Sequence, residues 1–220
     1  MSIQTIIDNA VNINIDRRKL AGQTVSRSGH VKVASVASSI PWVFTVNMHN
    51  ATQYSTNRAL FESIDQLDRV FEEQIDIGST NTGLAYITQY QGTLDPTQIG
   101  QITVASADAL EMVLDMSAVV GELSGDYVVK KGDYIQLSGV YRYPYTATAD
   151  VLRGSATTVT VPINRPFIEQ GSYTTIGANV VMGSDCTWKV VMSAKPSYTI
   201  VPHDRGVFNG AFELVEVIQD

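Results

Sequence analysis

The side chains best suited to chemistry in this chain are few and scattered. Its three histidines, His30, His49 and His203, each lack a second His, Cys or carboxylate at metal-ligand spacing. Ser28-Gly29-His30 and His203-Asp204 supply the residue types of a Ser, His and Asp relay, but no Gly-x-Ser-x-Gly elbow presents the serine. The lone cysteine, Cys186, has no intramolecular disulfide partner. Its flanks, Asp-Cys-Thr-Trp-Lys, read as an apolar strand rather than the electropositive helix start that activates a thiol, so it reads as a core residue. Glu72, Glu73 and Asp76 gather near a predicted helix end. Paired carboxylates can cleave a glycan by acid and base catalysis, and the same spacing also describes a solvated helix face. No Gly-rich loop follows a strand and opens a helix, so the usual nucleotide sites have no support. Asn50-Ala51-Thr52 matches the glycosylation pattern, but the first residues lack the basic start and apolar run of a secretion signal.

What remains is chemistry of contact. Tyr141-Arg142-Tyr143-Pro144-Tyr145 interleaves the residue types that anchor protein interfaces, and the proline fits a strand interior poorly. The segment reads either as an exposed contact loop or as core. Further candidate contacts are Gly132, in Lys130-Lys131-Gly132-Asp133, and Arg153 with Gly154, in Arg153-Gly154-Ser155. The extended segment 11–39 is also rich in strand formers.

The elements that must carry these residues follow from periodicity. Ile3, Ile6, Ile7 and Ala10 space out a short N-terminal helix. The stretch from Val11 to Val46 predicts two or three strands, with turns at Ala21-Gly22 and Ser28-Gly29. Apolar Leu60, Phe61, Ile64, Leu67, Phe71 and Ile75 predict an amphipathic helix from Thr56 to Ile75, ended by Gly78. From Leu84 onward, short β-prone runs between turn residues predict a sandwich or barrel. The Gly132 and Gly154 turns are expected to close hairpins or near-hairpin turns between Tyr127–Val129 and Tyr134–Leu137, and between Thr146–Leu152 and Thr157–Ile163. Val159, Val161 and Ile163 alternate with Thr158 and Thr160 as a half-buried strand requires, and Trp188, Val190 and Met192 repeat that pattern. The last strand, 210–218, is apolar on both faces except for Glu213 and Glu216, so one side is either paired with a neighbour or only partly solvated.

The chain has 220 residues, 44% of them hydrophobic and only 17% charged, which is enough to bury one good core, or two small ones sharing a boundary, without metals or disulfides. Its abundance of Thr, Ser, Val, Gly and Tyr suits sheets. The fold class expected is mainly β, a sandwich or barrel with one flanking amphipathic helix and a short N-terminal helix. Residues 1–80 would hold the N-terminal helix, the extended hairpin arm and the amphipathic helix, and residues 81–220 the β domain, possibly as one continuous domain. A net charge of −7 spread over scattered carboxylates argues against tight nucleic-acid binding, and no run is long enough to span a membrane.

Lys131-Gly132-Asp133-Tyr134-Ile135-Gln136, Tyr143-Pro144-Tyr145-Thr146 through Asp150-Val151-Leu152-Arg153-Gly154, Thr158-Val159-Thr160-Val161-Pro162 and the stretch 208–217 resemble structural proteins of contractile-tailed bacteriophages. The group is that of tail-tube, tube-initiator and baseplate-hub proteins. The resemblance covers roughly residues 84–220. It implies a non-enzymatic virion protein without cofactors, built in the host cytoplasm, that forms a ring, commonly a hexamer, through which DNA passes. Neighbours would be tail-tube, sheath or baseplate proteins, and rings would stack through a hairpin or loop. The arm that precedes the barrel-like part fits a specialised ring at the tube end or baseplate better than a plain tube subunit. A glycan- or receptor-binding β module of a phage tail is the alternative reading.

Overall fold

A computed structural model describes residues 3–17, 21–25, 31–35, 41–48, 52–66, 71–78, 81, 83–108, 110–121, 125–139, 143–168 and 176–218. Helix α1 (Gln4–Asp8) turns Ile6 and Ile7 fully inward. Strand β1 (Ala10–Asp16) then leads through β2 (Ala21–Val25) and β3 (Val31–Ser35) to β4 (Val43–Met48). β1 pairs antiparallel with β4, Ile13 opposite Val46 and Asp16 opposite Val43. β2 and β3 pair with each other, Ala21 opposite Ser35 and Val25 opposite Val31, and with no other described strand. The ribbon is therefore an insertion into the β1–β4 hairpin.

Beyond β4 lie β5 (Thr52–Gln53), α2 (Tyr54–Gln66) and β6 (Glu72–Asp76). The middle of the chain adds α3 (Pro96–Ile99), β7 (Thr103–Asp108), β8 (Glu111–Asp115), β9 (Tyr127–Val129) and β10 (Tyr134–Leu137). It continues with β11 (Tyr145–Thr146), β12 (Val151–Leu152), β13 (Thr158–Pro162) and β14 (Val180–Met182). The chain closes with β15 (Thr187–Ala194), β16 (Tyr198–Val201), β17 (Arg205–Phe208) and β18 (Phe212–Glu216). α3 starts where its sequence says it should. Asp95 accepts from the Gln98 N–H, the Gln98 side chain accepts from the Asp95 N–H, and Pro96 fills the first position, where its missing N–H costs nothing.

The protein is mainly β, with antiparallel sheets and a few helices. The largest sheet runs β1, β4, β18, β15, β6, so it joins the first fifth of the chain to the last. Its inward face, with α1 and α2, makes one core around Trp42, Phe44, Phe61, Ile75, Trp188, Phe212 and Leu214. A second core lies in the middle of the chain, around Ile102, Met112, Leu114, Val128, Ile135, Tyr145, Val161 and Val180. Packing is close at both. Phe61 stacks on Phe208 with ring centroids 5.0 Å apart. A Cβ on Gly206 would lie 2.4 Å from the Phe61 ring, which is why that strand position is glycine.

Several expectations are corrected here. The amphipathic helix ends at Gln66, and Glu72–Asp76 is the strand β6, paired with β15 from Glu72 opposite Val191 to Asp76 opposite Thr187. The local period was helical, but the pairing available on β15 wins. Ala21-Gly22 lies inside β2 rather than at a turn, while Ser28-Gly29 falls outside the described residues. The Gly132 turn closes, the Asp133 N–H donating to the Lys130 carbonyl, without pairing β9 to β10 as a hairpin, and the segments on either side of Gly154 pair only through the antiparallel bridge of Ala147 with Ile163. β9 pairs with β12 while β10 pairs with β11 and β14, and β13 pairs with β8. The cause at the first turn is Asp133, whose buried carboxylate accepts the N–H groups of Gln91, Gly92 and Lys130 and so splits the two strands between sheets. Strands β4 and β6, from the first 80 residues, share their sheet with β15 and β18.

Candidate assembly surface

A sheet offers partners its edges, and the two edges of the five-stranded sheet differ. At the β6 edge the Gln4 side-chain amide imitates a neighbouring strand: its Oε1 accepts from the Asp76 N–H at 2.9 Å and its Nε2 donates to the Asp76 carbonyl at 3.1 Å. The Ile3 N–H donates to the Glu73 carboxylate. Ile3, Ile6 and Ile7 are all buried, so lifting α1 would expose three isoleucines at a cost of about 1.5–3 kcal/mol each. α1 thus covers the Asp76 end of this edge.

The β1 edge has no such cover among the described residues. β1 is seven residues long, without Pro or Lys, and Val11, Asn12 and Asn14 are exposed. The Asn81 side chain donates to the Ala10 carbonyl at 3.1 Å and thereby caps only the first residue of the strand. Its one charge, Asp16, is at the last position, and a strand of this length without proline or lysine to blunt it is the form of edge that accepts another strand.

The root of the ribbon is built with equal specificity. Arg17, the residue after β1, lies over the rings of Trp42 and Tyr134, 5.4 and 5.8 Å from their centroids, and donates from Nη1 to Thr146 Oγ1 at 3.1 Å. Trp42 precedes β4 and is 2% exposed. The Trp42 ring also lies under the Arg165 guanidinium, 4.9 Å away. Arg165 pairs with Glu216 at 2.6 and 2.7 Å through both nitrogens, and Nη2 also donates to the Pro144 carbonyl. Glu216 Oε2 accepts the Trp42 N–H at 3.1 Å. Arg165 and Glu216 are 5% and 2% exposed, so this is a fully buried ion pair whose lone pairs and protons are largely satisfied. Glu216 falls in phase with the core-facing Phe212 and Leu214, and a carboxylate in that phase signals a buried cationic partner.

The contact residues expected from sequence are not brought into one patch. Gly132 (φ +104°) and Gly154 are exposed turn glycines with open space around them. They sit beyond opposite ends of the short β9–β12 ladder, in which Val151 faces Val129 and Leu152 faces Tyr127. Arg153, half-buried, donates to the Ala156 carbonyl within its own turn. Tyr141 and Arg142 lie outside the described residues. Tyr143 is 6% exposed and belongs to the second core, so the contact-loop expectation is corrected for it. Tyr145 is fully buried, stacked on Phe167 at 5.2 Å, and its hydroxyl accepts the Ile168 N–H. Tyr143 and Tyr145 are core residues, and the Tyr145 ring also helps hold Arg165, 5.4 Å away.

The residues that could do bond chemistry are in structural use. Burial pushes the Cys186 thiol well above its ordinary range. Glu72 pairs with Lys189 at 2.5 Å and Glu73 holds α1. Asp204 binds the Ser55 N–H and hydroxyl at the start of α2, with no imidazole between them. His30 and His49 lie outside the described residues. Among the described residues no group of three His, Cys, Asp or Glu is placed to hold a metal ion, and no helix is long and apolar enough to cross a membrane. Against known protein families and curated proteins the chain finds no match.

Proposed function

We propose that this chain is a structural subunit that assembles with copies of itself, as a ring component of a phage tail tube or baseplate, with tube, sheath or baseplate proteins as neighbours. The observation that carries the reading is the asymmetry of the main sheet, one edge covered by α1 at its Asp76 end and the other uncovered along β1 beyond Ala10 among the described residues, with the ribbon springing from the β1–β4 hairpin. Such a subunit offers two contact elements from a single hairpin. The chain's charge distribution supports the same use. From Arg17 to Phe61 the sequence carries six Arg or Lys residues and no Asp or Glu, although the whole chain has a net charge of −7. A basic arm on an acidic body suits a contact between copies, and the acidic remainder suits a surface past which DNA slides without sticking. A ring in the virion, assembled in the host cytoplasm, is the finer form of the proposal.

The test uses two variants that keep both cores. Asn14→Lys places a charge on the open edge, and replacing residues 19–37 by a short Gly-Asn turn removes the ribbon while leaving β1 and β4 joined. Each is expected to lower the assembled fraction in sedimentation velocity, and raised salt is expected to weaken the ribbon contact in the parent chain. Undiminished assembly in both variants, with circular dichroism unchanged, would remove these surfaces from the account.

A further inference from the structure

Two guanidinium groups lie on the Trp42 ring, and only one of them has its counter-ion. The inner one, Arg165, sits 4.9 Å from the ring centroid, is buried, and holds Glu216 through both terminal nitrogens at 2.6 and 2.7 Å. The outer one, Arg17, sits 5.4 Å from the same ring and 5.8 Å from that of Tyr134. Its Nη1 donates to Thr146 Oγ1 at 3.1 Å, and the residue is exposed. Among the described residues no carboxylate forms an ion pair with it. The same aromatic setting thus holds one arginine with a carboxylate and one without.

We infer that Arg17 is a preformed anchor for a carboxylate of a second copy, repeating at the surface the pair that Arg165 makes with Glu216 inside. The inference rests on the assembly reading and names one contact within it. An arginine that only shields Trp42 needs its methylene stem, not a charged head fixed by a hydroxyl. Held over two rings and by Thr146, the planar head gives up its rotamer freedom in the free chain, so that ordering cost is not charged to association. With Nη1 engaged, the Nε and Nη2 edge remains for a two-point contact with a carboxylate. The chain also carries the complement. Residues 70–129 contain nine Asp or Glu and no Lys or Arg. Within them Asp95 and Glu111 are exposed and have no basic partner among the described residues. The net charge of −7 favours this carboxylate over a nucleic-acid phosphate, which the rest of the chain repels.

The experiment is sedimentation velocity on the full chain over a concentration series, with two variants. Arg17→Met keeps an apolar stem over Trp42 and removes the charge, whereas Arg17→Lys keeps the charge and removes the planar fork. Arg17→Met is expected to raise the concentration of half-assembly about tenfold and Arg17→Lys by less, both with the thermal midpoint of the parent. Carbodiimide coupling of Arg17→Lys, in a mixture of isotope-labelled and unlabelled copies, is expected to join position 17 to an Asp or Glu within residues 70–129 of another copy, read by mass spectrometry. A parent chain that stays monomeric sinks the assembly reading and this contact with it. A parent that assembles while Arg17→Met assembles equally well overturns the contact alone. Weakened assembly that comes only with a lowered midpoint overturns it too, as does capture of duplex DNA by the parent that Arg17→Met abolishes.

Discussion

Single residues carry more of this fold than their number suggests, and Glu216 carries most. Its carboxylate serves Arg165 and the Trp42 N–H at once, joining the last strand to the middle of the chain and to the ribbon root. Removing one member of such a pair leaves a buried charge, so Glu216→Gln is expected to cost about 3–5 kcal/mol in urea unfolding. The double change Arg165→Met with Glu216→Leu should recover most of that loss, because two apolar side chains leave no charge behind. Equal losses in the single and double variants would mean that packing, not charge pairing, is what Glu216 supplies. This residue was partly legible in sequence: Phe212 and Leu214 set a two-residue phase that Glu216 continues. The partner was not legible, because Arg165 lies 51 residues away in sequence and no local pattern points to it. Val159, Val161 and Ile163, by contrast, needed only their alternation, and all three are buried. The tyrosine run misled because a proline and three aromatics describe a contact loop and a bent core segment equally well.

At the scale of elements, α2 shows how a helix is held at both ends by a neighbouring hairpin. Asp204 binds the first turn through the Ser55 N–H and hydroxyl, and the Lys195 ammonium donates to the Ile64 and Asp65 carbonyls in the last turn. Anion at the start and cation at the end match the helix dipole. Asp204 adopts φ +58° beside His203 at φ +68°, a left-handed pair that aspartate tolerates better than most residues. Asp204→Ala is therefore expected to lose about 1–2 kcal/mol in thermal or urea unfolding, and Asp204→Asn clearly less. The Tyr198 hydroxyl donates to Asp65 at this helix end, and that hydrogen bond raises the phenol from 10.0 to about 12. Because the folded value is the higher one, the stabilisation is complete below pH 10 and is lost as pH rises through about 12. The stability difference between the parent chain and Tyr198→Phe should accordingly be present at neutral pH and shrink across that window. The helix itself was readable from Leu60, Phe61 and Ile64. Its end was not, since Phe71 and Ile75 continue the same period, and only β15 and α1 make a strand of Glu72–Asp76.

For the whole molecule, a sheet built from both ends of the chain explains what periodicity leaves out. Alternation tells which face of a strand is buried, not which strand lies beside it. The order β1, β4, β18, β15, β6 rests on contacts such as Trp42 with Glu216 that span most of the chain. The mainly β class was within reach of composition and turn spacing, whereas the covered and uncovered edges were not, because they depend on where α1 docks. That docking gives the assembly reading its physical content, one edge covered by α1 at Asp76, one uncovered edge along β1 and a basic ribbon springing beside it. The measurement that bears most directly on it is the solution mass of the purified full chain over a concentration series, by light scattering after size separation. The account predicts a discrete multimer that grows in population with concentration and recedes with salt. A strict monomer at every concentration, which instead captures a glycan, would contradict it.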